Sequence, residues 1–213
     1  SNRQLDGNSD DLLRDISREI EIISKLNHPN VLKFICYSPI NFKSKPKPTI
    51  ITEYASKGSV YDVIQNKSKH PALDETKMFI IIYGIVAGMA YLHEHSILHN
   101  DLKPSNVLLD ENFHPKISDF GLSQRIARAE NESNETVSIR GTPSYIAPEI
   151  WDNNKHNEAS EVYSFGILLY EFAYMKNAFS GLKPLQISYK VQNGERPSFP
   201  FSIFRTNVYR SLI

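Results

Sequence analysis

The sequence predicts an α+β fold in which one helix and two strands precede a larger, mainly α-helical section. Three observations predict it. An amphipathic stripe runs through residues 10–27, two short runs rich in β-branched and aromatic residues follow before residue 55, and long apolar helical patterns cover 74–95 and 160–175.

The elements follow in chain order. Over residues 10–27, Leu12, Ile16, Ile20, Ile23 and Leu26 recur at the three- and four-residue steps of one helical face. Glu19 lies three residues from Ile16 and four from Ile23, within that inward stripe, where an unpaired charge is costly. Glu21 points elsewhere. Residues 31–37 and 49–54 read as strands, and the basic, proline-containing stretch 41–48 between them reads as a solvated hairpin tip. Residues 74–95 form the longest helical pattern, with Asp74 as its N-cap. Its most apolar run, 79–90, is 12 residues long. A bilayer span needs roughly 20, so a buried helix and no membrane span are expected.

Val107-Leu108-Leu109 and Lys116-Ile117-Ser118 read as short strands around the turn Asp110-Glu111-Asn112. Such a hairpin brings Asn106 and Asp119 to the same end. Residues 160–175 are apolar on nearly every face (Val162, Phe165, Ile167, Leu168, Leu169, Phe172), as in a helix buried within a domain. Residues 185–193 and 204–213 are shorter helical candidates. No repeat or heptad pattern is present.

Composition narrows the function. The 213 residues suffice for one large domain, and a 40% hydrophobic share can build a core. The 24 basic and 24 acidic residues balance, which argues against a nucleic-acid or membrane-surface binder. Cys36 is the single cysteine, excluding an internal disulfide or a cysteine-based zinc site and fitting a reducing, cytoplasmic compartment. No signal-peptide pattern is present. In such a chain Asn131-Glu132-Ser133 and Asn134-Glu135-Thr136 are chance matches to glycosylation acceptors.

Three short motifs carry the chemistry: His99-Asn100-Asp101-Leu102-Lys103-Pro104-Ser105-Asn106, then Asp119-Phe120-Gly121, then Ala147-Pro148-Glu149. Each alone is weak; in this order and spacing they resemble the catalytic half of a protein kinase. The resemblance implies a protein-kinase-like fold, with residues 1–54 a partial small lobe and 55–213 the hinge and helical large lobe. It implies ATP and Mg²⁺ as cofactors and Ser/Thr-bearing proteins as substrates. Asp101 is then the carboxylate that positions a substrate hydroxyl and accepts its proton, and Lys103 reaches the transferring phosphate. Asn106 and Asp119 supply the hard oxygen ligands that Mg²⁺ prefers.

Lys103-Pro104-Ser105 and Gly141-Thr142-Pro143-Ser144-Tyr145 resemble the serine/threonine kinases. In that resemblance Thr142 hydrogen-bonds towards Asp101 and Lys103, and its loop holds the residue after the target hydroxyl. Gly58-Ser59 and the run Val162-Tyr163-Ser164-Phe165-Gly166 look most like the tyrosine-kinase-like group. Thr52-Glu53-Tyr54-Ala55 resembles the hinge, where the Glu53 carbonyl and the Ala55 amide face adenine, with Thr52 at the back of the pocket. Ser59 resembles the ribose edge and Leu108 the floor beneath the base. Glu19 resembles the helix acid that pairs with a strand lysine gripping the phosphates. The polar stretch 129–138 resembles an activation segment, with Ser138 and then Thr136 as phosphosites for an upstream kinase.

The chain also departs from that pattern. No G-x-G-x-x-G loop or V-A-I-K-type lysine occurs in these residues, so Glu19 lacks its cation and this segment alone should have little activity. The expectation is a section of a larger kinase, cut also before the arginine that pairs with Glu149. Asn100 replaces the arginine of H-R-D, weakening any response to phosphate on Ser138. Glu161 replaces the usual aspartate and should still orient the catalytic-loop backbone, at the cost of one added methylene. The alternative reading is a truncated kinase-like or pseudokinase binding module without catalysis.

Overall fold

The computed structural model describes residues 16–17, 19–40, 49–65, 73–126 and 140–198. Thr136 and Ser138, the stretch 41–48 and the expected helix 204–213 lie outside the described residues.

The leading helix is helical over 19–23, with Ile22, Ile23 and Leu26 buried. The turn after it is stitched to elements much later in the chain. Asn27 N donates to Tyr91 Oη (3.0 Å), Asn30 Nδ2 to Pro115 O (3.0 Å), Ile117 N to Asn30 O (2.8 Å) and Leu32 N to Ile117 O (2.8 Å). Strand β1 (Phe34–Ser38) pairs antiparallel with β2 (Thr49–Thr52), from Phe34 opposite Thr52 to Ser38 opposite Thr49. Both strands are shorter than the sequence suggests. Val31 forms a parallel bridge to Ile117 instead of extending β1, and Tyr54, 87% exposed, has no sheet to join.

Helix α1 (Val60–Gln65) follows, and α2 (Glu75–Glu94) is the long spine of the elements after it. Asp74 caps α2 by accepting from Lys77 N at 2.8 Å. Helix α2 is 20 residues long, longer than its apolar run, and by length and composition alone could cross a membrane. Its Ile81, Ile85, Met89 and Leu92 are instead buried against the protein, which is the behaviour of a core helix.

Two glycines on α2 permit that packing. A Cβ at Gly84 would lie 2.5 Å from Pro115 Cγ, and one at Gly88 would lie 2.7 Å from Ile117 Cδ1. Only glycine lets the helix backbone approach strand and turn so closely.

Strand β3 (Ile97–Leu98) pairs with β6 (Gln124–Arg125), and β4 (Val107–Leu109) with β5 (Pro115–Ile117), Val107 facing Ile117. Helices α3 (Pro148–Asn153), α4 (Glu158–Tyr174) and α5 (Pro184–Gln192) follow. Asn157 and Ser160 form a reciprocal cap on α4. Ile81, Ile85, Leu92, Val107, Leu109, Ile117, Leu168 and Phe172 show no exposed surface, and burying each such side chain contributes roughly 1.5–3 kcal/mol. Helix α4 is one-sided rather than apolar all round in its setting: Val162 is 65% exposed while Leu168 and Phe172 are fully buried. A second, smaller cluster joins Ile146, Ala147 and Ile150 to Trp151 and Tyr163.

Candidate active site

The loop after β3 is assembled around a fully buried imidazole. Asp101 N donates to His99 Nδ1 (3.3 Å), so Nδ1 is the acceptor and Nε2 carries the hydrogen given to Ser118 O (3.0 Å). Ser123 Oγ donates to His99 O (3.2 Å), and the His99 ring packs against Phe120 at 5.2 Å. Asn100 then takes a left-handed backbone (φ 64°), a conformation Asn tolerates better than most residues, and its Nδ2 donates to Leu122 O (2.9 Å).

Asp101, 9% exposed, sits at the centre of a dense polar cluster. Its Oδ1 accepts from Thr142 N (3.0 Å) and Thr142 Oγ1 (2.8 Å). Its Oδ2 accepts from Lys103 Nζ (2.5 Å) and Asn106 Nδ2 (3.2 Å). Lys103 Nζ also donates to Thr142 Oγ1 (2.8 Å). Asp101, Lys103, Asn106 and Thr142 thus come together from two segments far apart in sequence. Thr142 reaches the loop because Gly141 (φ 109°) lets the backbone pass closely: a Cβ there would lie 3.2 Å from Asn100 O.

Asn106 follows a single 3₁₀ turn, Pro104–Asn106, and is 5% exposed. Its Nδ2 also donates to Asp101 O (2.9 Å), which fixes the amide and leaves Oδ1 as the acceptor, touched only weakly by Ser105 Oγ (3.4 Å). Ser118 N (2.9 Å) and Ser118 Oγ (3.0 Å) both donate to Asn106 O. Asp119 is therefore one residue from the group bonded to Asn106, at the same end of the β4–β5 hairpin. Asp119 is exposed and left-handed (φ 66°), while Phe120 beside it is buried. The Asn106 amide oxygen and the Asp119 carboxylate are hard oxygen donors at one hairpin end, a set that suits Mg²⁺.

Glu19 comes down beside this turn. A Cβ on Gly121 would lie 3.4 Å from Asp119 Oδ1 and 3.9 Å from Glu19 Oε2. Burial, and then the nearby Asp119 charge, push the Glu19 carboxyl above its usual range. Among the described residues neither carboxylate has an ion-pair partner.

The other expected positions fare differently. Glu53 O accepts from Thr52 Oγ1 (3.2 Å), and the Glu53 side chain accepts from Lys33 N (2.8 Å) and Lys116 Nζ (3.3 Å), bracing the segment between the sheet and β5. Ala55 N has no hydrogen-bond partner among the described residues, so its donor stays open to a ligand. Leu108 alternates with buried Val107 and Leu109 and faces the other way. Ser59 does not fit a ribose contact. It is 7% exposed, and its Oγ (2.7 Å) and N (2.8 Å) both donate to Asp62 Oδ2 while Oγ accepts from Asp62 N (3.2 Å). The residue is consumed as the N-terminal cap of α1.

Two supporting contacts, His93 to Glu161 and Tyr145 to Glu171, escaped the sequence reading. Glu161 Oε1 accepts from Asn100 N (2.7 Å), the backbone role expected of it, but Oε2 also meets His93 Nε2 (2.6 Å) from α2. That bond lifts the His93 pKa above its ordinary 6.5, against the opposing effect of burial. Glu171, 3% exposed, accepts from Tyr145 Oη (2.5 Å) and Ala178 N (2.8 Å), and with Ser164 Oγ donating to Tyr145 O (2.7 Å) it anchors the Thr142 segment to α4. Burial, then the Glu171 bond, push the Tyr145 phenol far up. The only signal for Glu171 was its position in an otherwise apolar helix, and nothing in the sequence paired Glu161 with His93.

Comparison with known proteins identifies the family. Residues 2–201 match the family model for the protein kinase domain. The serine/threonine-protein kinase CTR1 of Arabidopsis thaliana is 37% identical over 172 residues, 80% of this chain and 20% of its own length. The probable serine/threonine-protein kinase drkA of Dictyostelium discoideum is 34% identical over 197 residues (90% and 29%), and the Arabidopsis serine/threonine-protein kinase STY17 is 33% identical over 192 (89% and 32%). The chain thus spans between a fifth and a third of these relatives, and over nearly all of its own length it belongs to the protein kinase domain family.

Proposed function

We propose that this chain is the catalytic section of a serine/threonine protein kinase that transfers the γ-phosphate of ATP to Ser and Thr hydroxyls of protein substrates in signalling. One observation carries the reading. The Thr142 hydroxyl donates to Asp101 Oδ1 and accepts from Lys103 Nζ, both at 2.8 Å. A substrate hydroxyl needs that same pair of contacts: a carboxylate to take its proton and a cation beside the oxygen as charge develops.

In this reading Asp101 orients the attacking hydroxyl and accepts its proton, and Lys103 offsets charge on the transferring group. Thr142 holds both while its loop seats the substrate. Asn106 and Asp119 hold Mg²⁺, whose chemistry when bound is to neutralise phosphate charge. Glu53 and Ala55 present backbone groups to adenine over Leu108, and Glu19 awaits a cation. Residues 1–54 act as small-lobe elements and 55–213 as hinge and large lobe. Ser138 or Thr136 receives phosphate from an upstream kinase, and the single exposed Cys36 fits a cytoplasmic setting.

The test is transfer of labelled phosphate from Mg²⁺-ATP to mixed Ser, Thr and Tyr peptides by the full-length protein. Labelling of Ser/Thr that disappears in Asp101→Asn supports the proposal. No transfer, or transfer to Tyr alone, overturns it.

A further inference from the structure

Two buried polar atoms lack partners on the walls of one small cavity. Asn100 is 8% exposed, and its Nδ2 is committed to Leu122 O, which fixes Oδ1 on the other side, where it meets no donor among the described residues. His156 Nε2 is likewise buried without a partner among the described residues. Both residues line a small cavity of about 10 Å³, room for a single water, bordered also by Asp101 and Thr142, by Ile146 and Ile150 from the segment after Thr142, and by Ser160 and Glu161 of α4.

An unsatisfied buried polar atom costs about 1–3 kcal/mol, and two such atoms on one cavity point to a shared ligand. The chemistry of the walls narrows that ligand. Asn100 Oδ1 requires a donor. An anion is disfavoured by that oxygen and by the Glu161 carboxylate. Both Glu161 oxygens are already engaged, by Asn100 N and His93 Nε2, so no full set of ligands is left for a metal cation. Burial lowers the His156 pKa, leaving a neutral ring that either donates or accepts through Nε2. A neutral molecule that donates on one side and adapts on the other satisfies both walls.

We infer that this cavity is a binding site for one structural water, which bridges Asn100 Oδ1 to His156 Nε2. The bridge joins the residue next to Asp101 to the connection between α3 and α4. It thereby ties the catalytic loop to the helices that follow Thr142, in a cavity that Asp101 and Thr142 also line. Asn100 supplies this acceptor where the family pattern has arginine.

A crystal structure of this chain tests the site directly. The expected result is a single water within about 2.7–3.2 Å of both atoms. A direct Asn100–His156 bond, a peak with metal-ligand distances, or no density between the two atoms overturns the inference. A double-mutant cycle supplies the second measurement. Asn100→Gly keeps the left-handed backbone while removing the acceptor, and His156→Leu removes the ring nitrogen. The shift in urea midpoint caused by His156→Leu should fall by at least half when Asn100→Gly is already present. Equal shifts in both backgrounds overturn the bridge, and where a variant does not fold, the wild-type density decides.

Discussion

Replacing Glu161 by Ala tests how the catalytic loop is held. Glu161 is 3% exposed and serves two donors, Asn100 N at 2.7 Å and His93 Nε2 at 2.6 Å. Removing it strands a buried backbone N–H, at about 1–3 kcal/mol, and deletes a charge-assisted bond to a side chain only 20% exposed, at about 1.5–3 kcal/mol. The sum, about 2.5–6 kcal/mol, brackets the roughly 3–5 kcal/mol that breaking a buried ion pair usually costs. With a urea slope of about 2 kcal/mol per M, the unfolding midpoint should drop by about 2 M. That is a large part of the total stability of about 5–15 kcal/mol expected for a domain. A drop below about 0.5 M would mean that water replaces the carboxylate without loss, and the reasoning would fail.

Three further outcomes are expected. The Glu161 bond, helped by the Glu158 charge, raises the folded His93 pKa above 6.5, so its contribution is complete below pH 6.5 and lost as pH rises through the folded value. Urea midpoints of wild type and His93→Gln should therefore converge between pH 6 and 9, and a constant gap would remove the ion pair from the account. Asp101→Asn in the full-length protein should lower phosphotransfer by about 10²–10⁴-fold with unchanged circular dichroism, and near-normal turnover would deny Asp101 its role. Gly84→Ala sets a methyl 2.5 Å from Pro115 Cγ and should cost about 1–3 kcal/mol in chemical denaturation; no loss would show that β5 shifts freely.

Much of this was legible in the residues themselves. Period and capping located α2 through Asp74, and turn chemistry located the hairpin that carries Asn106 and Asp119 to one end. Glu19 on the inward stripe does reach the Asp119 turn. What escaped has a common cause. Helices α1 and α3 are six residues each, too short for periodicity to register. Ser59 resembled the ribose edge of a nucleotide site, and only the position of Asp62 three residues on reveals a cap. The His93–Glu161 and Tyr145–Glu171 bonds join residues 68 and 26 positions apart, and no local pattern encodes which buried acid meets which donor.

The His99 ring has a mechanical consequence. One of its nitrogens grips the amide of Asp101, and the other grips the carbonyl of Ser118, the residue before Asp119. The spacing between the two functional acids is thus gauged by a flat, incompressible heterocycle rather than by two independent loops. Neither acid can shift along that line without dragging the ring, and Phe120 packs tilted against it as a stop. A disturbance that dislodges Phe120 will be felt at Asp101 through a single side chain, so the two motifs behave as one moving part.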